Sequence, residues 1–263
     1  MTPFADGRLI LHSGRVARIE VNAPDRRNAM SRAMWQAIPL ICDAIEADLG
    51  VRAVLLTGAA EVGATFSAGA DITEFEAVYA TPEATAVYNA MVRLAQARLR
   101  NLDRPVIAVV AGACVGGGCG LALAADLRFA APEARFGITA ARLGLGYSPE
   151  DIAQLLEKVG PARAKDLLFS ARLISAEEAL SIGLIERVFP AATLMQEATD
   201  YANDLAGLSA YSIRATKAAI NRLAAPDEAV CAELNATFVR GFEGPDFYEG
   251  RTAFLNRKKP MFL

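Results

Sequence analysis

Apolar residues follow two different rhythms along the chain. Short runs rich in branched aliphatic residues are typical of buried strands, and between them lie longer runs whose apolar residues recur every three or four positions, as in helices. Strands are predicted at Leu9–His12, Val16–Val21, 54–57, Val106–Val110, Leu127–Ala130 and Arg135–Gly137. Strands and helices alternate to about residue 190, and only helices are predicted beyond it. The pattern indicates an α/β core with a helical C-terminal extension.

Three of the predicted helices begin at a recognisable cap. Ser31 and Thr81 can each accept a hydrogen bond from the first turn, and Thr81 is followed by a proline. Ser175 and Glu178 have the spacing of a capping box, and Gly183 follows the short helix that they open. The core-facing stripe of the helix after Ser31 is Met34, Ile38, Ile41 and Ile45.

The longest uncharged stretch, residues 105–125, has 21 residues and is long enough to cross a membrane. It contains five glycines and begins with a β-branched run at Val106–Val110. A buried strand, a glycine turn and a buried helix explain this composition better than a membrane span does.

Composition and charge exclude several classes of function. The chain has 263 residues, 53% of them hydrophobic, and a formal net charge of −3. This balance argues against a protein held on nucleic acid or on an anionic membrane surface. Four cysteines without a CxxC pair fit buried thiols in a reducing cytoplasm, and the first residues lack the pattern of a secretory signal. His12 is the only histidine, so we expect no metal site.

Two segments of small residues follow predicted strands and are the candidates for chemistry. The first is 66–72, Phe-Ser-Ala-Gly-Ala-Asp-Ile, and the second is 112–120, Gly-Ala-Cys-Val-Gly-Gly-Gly-Cys-Gly. Small side chains let a ligand approach backbone N–H groups, and a helix N-terminus points several of them outward. Both segments together predict a site for an anion or an oxyanion. Tight packing of a helix on the sheet would explain the glycines equally well.

Nucleotide-binding motifs do not fit the second segment. A P-loop requires Lys and then Ser or Thr after its last glycine, but Gly118 and Cys119 follow Gly117. A dinucleotide fingerprint beginning at Gly116 would need glycine at position 121, where Leu121 stands.

In combination, these segments resemble the crotonase superfamily, the enoyl-CoA hydratases and isomerases, over nearly the whole chain. The matching pieces are Asn-Ala-Pro-Asp-Arg-Arg-Asn-Ala-Met at 22–30, Ser-Ala-Gly-Ala-Asp at 67–71, the glycines at 116–118, Ala-Ala-Asp at 124–126, Ala-Arg-Phe-Gly at 134–137 and Phe-Leu-Asn-Arg-Lys-Lys-Pro at 254–260. The resemblance implies a crotonase-like spiral of ββα repeats that binds acyl-CoA. Residues 1–190 would form the spiral core with the acyl-CoA site, and residues 191–263 would form a helical region for contacts in a homotrimer or hexamer.

The resemblance also implies site residues. The oxyanion hole would consist of the backbone N–H groups of Ala70 and Gly117, and such a hole stabilises the enolate of a thioester. No cofactor is expected besides the coenzyme A of the substrate, and no nucleic acid or membrane partner. The expected substrate-binding residues are Arg26, as a contact to the phosphates of coenzyme A, and the backbone near Ala68, at its adenine. The others are Asp71, Ile72, Gly116, Ala140 and Tyr147.

The sequence departs from the hydratase pattern at both positions where the resemblance places a glutamate. Without gaps, these positions are Gly120 and Ala140, and neither residue can move a proton. Family isomerases and dehalogenases carry a single carboxylate where Ser148 stands. Glu150 lies two residues further on, and a small loop shift would bring it to the substrate. The candidate catalytic residues are therefore Ala70, Gly117, Ser148 and Glu150, with Glu150 as the proton carrier. We favour isomerisation or other enolate chemistry over hydration.

Other interpretations of this region stay open. Ser148, with a proline and two acids behind it, is also a good helix start, and capping is the favoured role for it and for Asp71. A serine hydrolase triad is not expected, since His12 precedes the serine. Cys114 and Cys119 are expected to be buried rather than nucleophilic. The rival to an enzyme is a non-catalytic acyl-CoA binding or scaffold protein of the same fold.

Overall fold

The structure is a computed structural model that describes residues 1–59, 65–224, 239 and 242–261. Its strands are β1 (Thr2–Phe4), β2 (Leu9–His12), β3 (Val16–Val21), β4 (Ala53–Gly58), β5 (Val106–Val110), β6 (Ala113–Val115), β7 (Leu127–Ala130), β8 (Arg135–Gly137), β9 (Ile174–Ser175) and β10 (Arg187–Val188). Its helices are α1 (Arg32–Ala47), α2 (Phe75–Val78), α3 (Pro82–Arg100), α4 (Gly117–Leu123), α5 (Pro149–Ser170), α6 (Ala176–Ser181), α7 (Leu194–Gly207), α8 (Ala210–Ala224) and α9 (Pro245–Leu255). Short 3₁₀ turns occupy Pro24–Arg26, Ile72–Glu74 and Ala140–Leu143.

The strands form two sheets, and the chain alternates between them. The larger sheet has the order β1-β2-β3-β4-β5-β7-β10 and is parallel from β3 onward, and the smaller has the order β6-β8-β9. Isolated bridges between Met30 and Ala70 and between Ser67 and Cys114 extend the same kind of pairing into the loops after β3 and β4. From β5 to β8, the chain visits the larger sheet and then the smaller one before each of the helices α4 and α5. This confirms the predicted α/β fold class, a spiral of ββα repeats.

The central strands are covered on both faces, as expected for parallel strands. All five residues of β5 are buried. One face packs on the main core, which includes the predicted stripe of α1. On the other face, Leu194, Ala198 and Ala202 of α7 pack with Leu55, Ile107 and Phe129 of the sheet. The helical region after residue 190 therefore begins by closing the core.

The predicted caps are confirmed at three helix starts. The side chains of Ser31, Thr81 and Ser175 accept hydrogen bonds from the amides of Met34, Ala84 and Glu178. Only half of the predicted capping box forms, because the Glu178 carboxylate binds Arg172 instead.

The short strands β1, β6, β9 and β10 are absent from the prediction. Each has two or three residues, which is too few to show a period, and each exists because a neighbouring strand pairs with it. The predicted glycine turn also needs correction. It contains strand β6, and α4 begins inside the glycine run at Gly117, where Gly118 packs so tightly on Ser67 that an added Cβ would lie 2.5 Å from the Ser67 carbonyl oxygen.

No helix in the described ranges is both long enough and apolar enough to cross a membrane. Cys42, Cys114 and Cys119 are buried free thiols, as expected, and Cys231 lies outside the described residues. A division of the chain at residue 190 stays a prediction.

Candidate active site

The first loop is held against the second by backbone hydrogen bonds. The Ser67 amide donates to the Ala113 carbonyl at 3.1 Å, and the Val115 amide donates to the Ser67 carbonyl at 3.0 Å. Gly69 has φ +101°, and a Cβ there would lie 2.9 Å from the Val115 carbonyl oxygen. Only glycine fits this close approach at such a φ angle.

Ala70 and Gly117 are brought together by this packing. A Cβ on Gly117 would lie 3.5 Å from the Ala70 nitrogen, and one on Gly69 would lie 3.3 Å from the Gly117 nitrogen. The amides of Ala70 and Gly117 donate no hydrogen bond to another group in the described part of the chain. The two loops predicted from sequence therefore meet, and each places an uncommitted N–H there.

Below this point, the side chain of Trp35 forms the floor. Its Cζ2 atom would lie 3.5 Å from a Cβ on Gly117, and Trp35 is 1% exposed. Trp35 comes from α1, which begins two residues after Met30, the residue whose backbone pairs with Ala70. The sequence alone does not mark Trp35 as a site residue, because an aromatic residue in a helix is most often part of the core.

Polar side chains surround Gly120, one turn further along α4. A Cβ on Gly120 would lie 2.5 Å from Nε2 of Gln96, 2.8 Å from Oδ1 of Asp151 and 3.1 Å from Oη of Tyr147. Gln96 and Asp151 are 2% and 5% exposed. The space that a side chain at position 120 would enter is therefore already filled by a buried polar cluster of Gln96, Tyr147, Ser148 and Asp151, which we call the 120 cluster.

Asp151 supplies the carboxyl of this cluster from the first turn of α5. Its amide donates to Oγ of Ser148 at 3.1 Å, and the Ser148 hydroxyl donates back to Oδ2 of Asp151 at 2.7 Å. Burial and, to a smaller extent, the charge of Glu150 raise the pKa of Asp151 to about 6, against the opposing effects of Ser148 and Gln96. Such a pKa lets the carboxyl hold or release a proton near neutral pH.

The other predicted residues of this stretch have clear positions. Ser148 is the cap of α5, as its favoured role required. The Tyr147 hydroxyl donates to the Gly116 carbonyl at 3.3 Å, which ties the 120 cluster to the second loop. The Glu150 carboxylate lies 3.7 Å from the Arg93 guanidinium, and about a third of the Glu150 side chain is exposed. The three atoms nearest to a Cβ on Gly120 include one from Asp151 and none from Glu150.

Arg26 and Asp71 form an ion pair beside the first loop. The Arg26 guanidinium donates to the Asp71 carboxylate and, at 3.0 Å, to Oγ1 of Thr73, and nearly half of the Arg26 side chain is exposed. Burial raises the pKa of Asp71, but hydrogen bonds from Thr73 and Arg26 outweigh it and hold the pKa below its usual value. Asp71 also caps the 3₁₀ turn that follows, as expected.

Three of the remaining predicted substrate-binding residues, Ala68, Ile72 and Gly116, belong to the same two loops, and Ala140 lies in a separate turn. Ala68 is exposed, and its amide donates to the Arg27 carbonyl at 3.0 Å. Ile72 is half-buried against the main core, and Ala140 begins the 3₁₀ turn Ala140–Leu143. Gly116 precedes α4 with φ +54°.

Metal ligation and thiol nucleophiles are the other kinds of chemistry that the side chains of this chain could offer. Within the ranges that the structure describes, no three His, Cys, Asp or Glu side chains are grouped to hold a metal ion. Burial raises the pKa of Cys114 well above its usual value, which keeps the thiol neutral. His12 lies on β2 and contacts Glu20, far in sequence from any serine of the site.

Comparison with known proteins gives the family. Residues 12–263 match the family described as enoyl-CoA hydratase/isomerase. The chain belongs to this family. A short-chain-enoyl-CoA hydratase of Clostridium acetobutylicum is 35% identical over 249 residues, which cover 94% of this chain and 93% of that protein. A crotonyl-CoA hydratase of Syntrophomonas wolfei is 34% identical over 255 residues, with 95% of each chain covered.

Solved structures agree with membership of the enoyl-CoA hydratase/isomerase family. A protein of this family from Hyphomonas neptunium has a TM-score of 0.79 and 40% identity, with 97% of each chain covered. A methylmalonyl-CoA decarboxylase in complex with 2-nitronate-propionyl-CoA has a TM-score of 0.85, covering 97% of this chain and 98% of its own, but at 24% identity it shows the shared fold alone. The predictions of a crotonase relative and of an enzyme are therefore confirmed at the level of the family.

Proposed function

We propose that the protein binds an acyl-CoA thioester with its carbonyl oxygen between the amides of Ala70 and Gly117. The carrying observation is the close packing of the two loops, in which both amides lie side by side without an acceptor among the described residues. A carbonyl oxygen that gains negative charge would supply that acceptor. Removing one donor from such a hole typically costs about 3 kcal/mol of transition-state stabilisation.

Charge on that oxygen develops when a proton leaves the carbon next to the thioester carbonyl. The hole therefore favours reactions that pass through an enolate. In a 3-enoyl-CoA, removal of the C2 proton gives a dienolate, and return of the proton to C4 gives the 2-enoyl-CoA. This isomerisation is balanced, since one proton leaves and one returns, and it needs no cofactor besides the coenzyme A of the substrate.

Hydration is the less favoured reaction for this chain. Adding water to a 2-enoyl-CoA calls for groups that activate the water and deliver its proton, and the family resemblance assigns them to positions 120 and 140. Gly120 and Ala140 carry no carboxyl group, and the 120 cluster leaves no room for one to be added at Gly120.

The experiment compares isomerisation of short and medium-chain 3-enoyl-CoA esters with hydration of the matching 2-enoyl-CoA esters. Our proposal predicts that isomerisation is at least about 100-fold faster, the size of the contribution of one positioned acid or base. Faster hydration would contradict the preference for isomerisation. Binding of these esters without turnover of any of them would instead support the rival, a non-catalytic acyl-CoA binding protein.

A further inference from the structure

The 120 cluster contains the buried carboxyl group of Asp151, and only one of its two oxygens is used in the cap of α5. One oxygen of Asp151, Oδ2, accepts from the Ser148 hydroxyl at 2.7 Å. The other, Oδ1, has no hydrogen-bond donor in place among the described residues, although Asp151 is only 5% exposed. A buried carboxylate oxygen without a donor is costly, so its retention calls for an explanation.

The position of Oδ1 suggests an explanation for this unpaired oxygen. It lies 2.8 Å from where a Cβ of residue 120 would stand, and Gly120 follows Gly117 by three residues on α4. Residues three apart lie on the same helix face, roughly 5 Å from each other. A carbonyl oxygen held at Gly117 would therefore bring the C2 and C4 atoms of its acyl chain towards this carboxyl.

We propose that Asp151, rather than its neighbour Glu150, carries the proton between C2 and C4 of the bound acyl-CoA. The carboxylate removes the C2 proton as the enolate forms and returns it to C4, so the residue ends the cycle ionised as it began. This inference rests on the proposed enolate function and adds the group that makes it possible.

The surroundings of Asp151 suit this role. Its pKa of about 6 keeps most of the carboxyl ionised at neutral pH and still allows it to hold a proton during the reaction. The ionisable groups that face it are Glu150 on its own helix, whose charge raises its pKa, and the Tyr147 hydroxyl, whose own pKa is raised by burial and by Asp151. The Ser148 hydroxyl, which donates to Oδ2, and the nearby Gln96 side chain both lower its pKa.

The test variant is Asp151→Asn. Asparagine has the same size, and its side-chain oxygen can still accept from the Ser148 hydroxyl. The hydrogen bond from the backbone amide of residue 151 to Ser148 Oγ is also kept, so the cap survives. The matched control is Glu157→Gln, two turns further along α5, where the carboxylate pairs with Arg100 on the surface at 2.8 Å. Circular dichroism establishes that both variants are folded.

Two assays separate failure of this inference from failure of the proposed function. One is isomerisation of a 3-enoyl-CoA, and the other is exchange of the C2 protons of a saturated acyl-CoA with D₂O, which needs the enolate but no double bond. We expect Asp151→Asn to lower both rates by about 100-fold or more with little change in KM, and Glu157→Gln to leave them unchanged. The wild-type rate should fall as the pH drops through about 6, and this acid limb should disappear in Asp151→Asn.

A second variant, Ser148→Ala, distinguishes an effect on the pKa of Asp151 from a purely structural effect. Because the Ser148 hydroxyl lowers the pKa of Asp151, Ser148→Ala should move the acid limb to higher pH without removing it. Full activity of Asp151→Asn, or residual activity with the same acid limb, would overturn the inference while the enolate function stands. A wild-type protein that binds acyl-CoA but catalyses neither reaction would overturn the proposed function and this inference with it.

Discussion

Asp151 and Gly120 occupy complementary positions, since Oδ1 of Asp151 lies 2.8 Å from the point where a Cβ on Gly120 would stand. The glycine makes room for a carboxyl group that arrives from another helix. A site that has no acid on α4 therefore still has one in the same space.

The buried carboxyl of Asp151 should reduce stability at neutral pH. Its pKa is raised from 3.8 to about 6, so the folded state binds the proton more tightly than the unfolded chain and stability falls as the pH rises between these values. The loss amounts to at most about 3 kcal/mol. Asp151→Asn should therefore unfold at higher denaturant concentration than the wild type at pH 7, and the gain should vanish near pH 4. An equal gain at both pH values would contradict the assigned pKa.

Gly120→Ala tests how tightly the 120 cluster is packed. The added methyl group must displace the Gln96 amide and the Asp151 carboxyl, so we expect a loss of about 1–3 kcal/mol in unfolding free energy and a lower rate. Gly207→Ala is the matched control, because nothing lies within 4 Å of a Cβ there and Gly207 ends α7. Denaturant unfolding of both variants gives the comparison. A stable and fully active Gly120→Ala would show that the cluster is loose.

Glu150→Gln distinguishes the two neighbouring acids of α5. If Asp151 carries the proton, loss of the Glu150 charge should lower the pKa of Asp151 and move the acid limb of the pH–rate profile to lower pH. If Glu150 carries it, as the sequence alone favoured, the same variant should lose the acid limb altogether. The pH dependence of isomerisation decides between them.

Arg26 is the expected contact to the phosphates of coenzyme A. Its guanidinium is nearly half exposed and already pairs with Asp71, so it is held in one place beside the first loop. Arg26→Ala should raise KM for acyl-CoA about tenfold with little change in kcat, which corresponds to about 1.4 kcal/mol. KM for the pantetheine thioester, which lacks the nucleotide phosphates, should not change. An equal rise in KM with both substrates would show that Arg26 does not act through the nucleotide phosphates.

Much of the fold could be predicted because each major element carries its own local signal. β5 is a β-branched run, and α3 starts at a Thr-Pro pair that caps it. The short strands could not be predicted, since β9 and β10 have two residues each and owe their extended backbone to β8 and β7. Pairing with a distant partner leaves no trace in two residues of sequence.

In the candidate site too, residues with a local sequence signal could be predicted and those that depend on distant contacts could not. Both small-residue loops were evident, because only small side chains allow the approach at Gly69 and Gly118. Gln96 could not be found, since a glutamine in the middle of α3 resembles any helical surface residue. The choice between Glu150 and Asp151 depends on helix rotation, since successive residues differ by about 100° around the axis, and sequence does not fix which of them faces Gly120.

The outer face of α8 predicts self-association. No residue of α8 is buried in the single chain, and Tyr211 and Leu223 are 77% and 88% exposed. Several exposed apolar side chains on one helix, here also Ile220, mark an interaction surface, whereas a single exposed one does not. Leu223→Glu should lower the mass measured by light scattering, while Leu49→Glu, at a residue 81% exposed after α1, should not. A monomeric wild type would contradict this expectation of a trimer or hexamer.

The most direct test of the account is a crystal structure of the protein with a bound acyl-CoA. The account predicts that the thioester oxygen lies about 2.7–3.1 Å from the backbone nitrogens of both Ala70 and Gly117. An acyl-CoA whose thioester oxygen binds away from these two amides would contradict it.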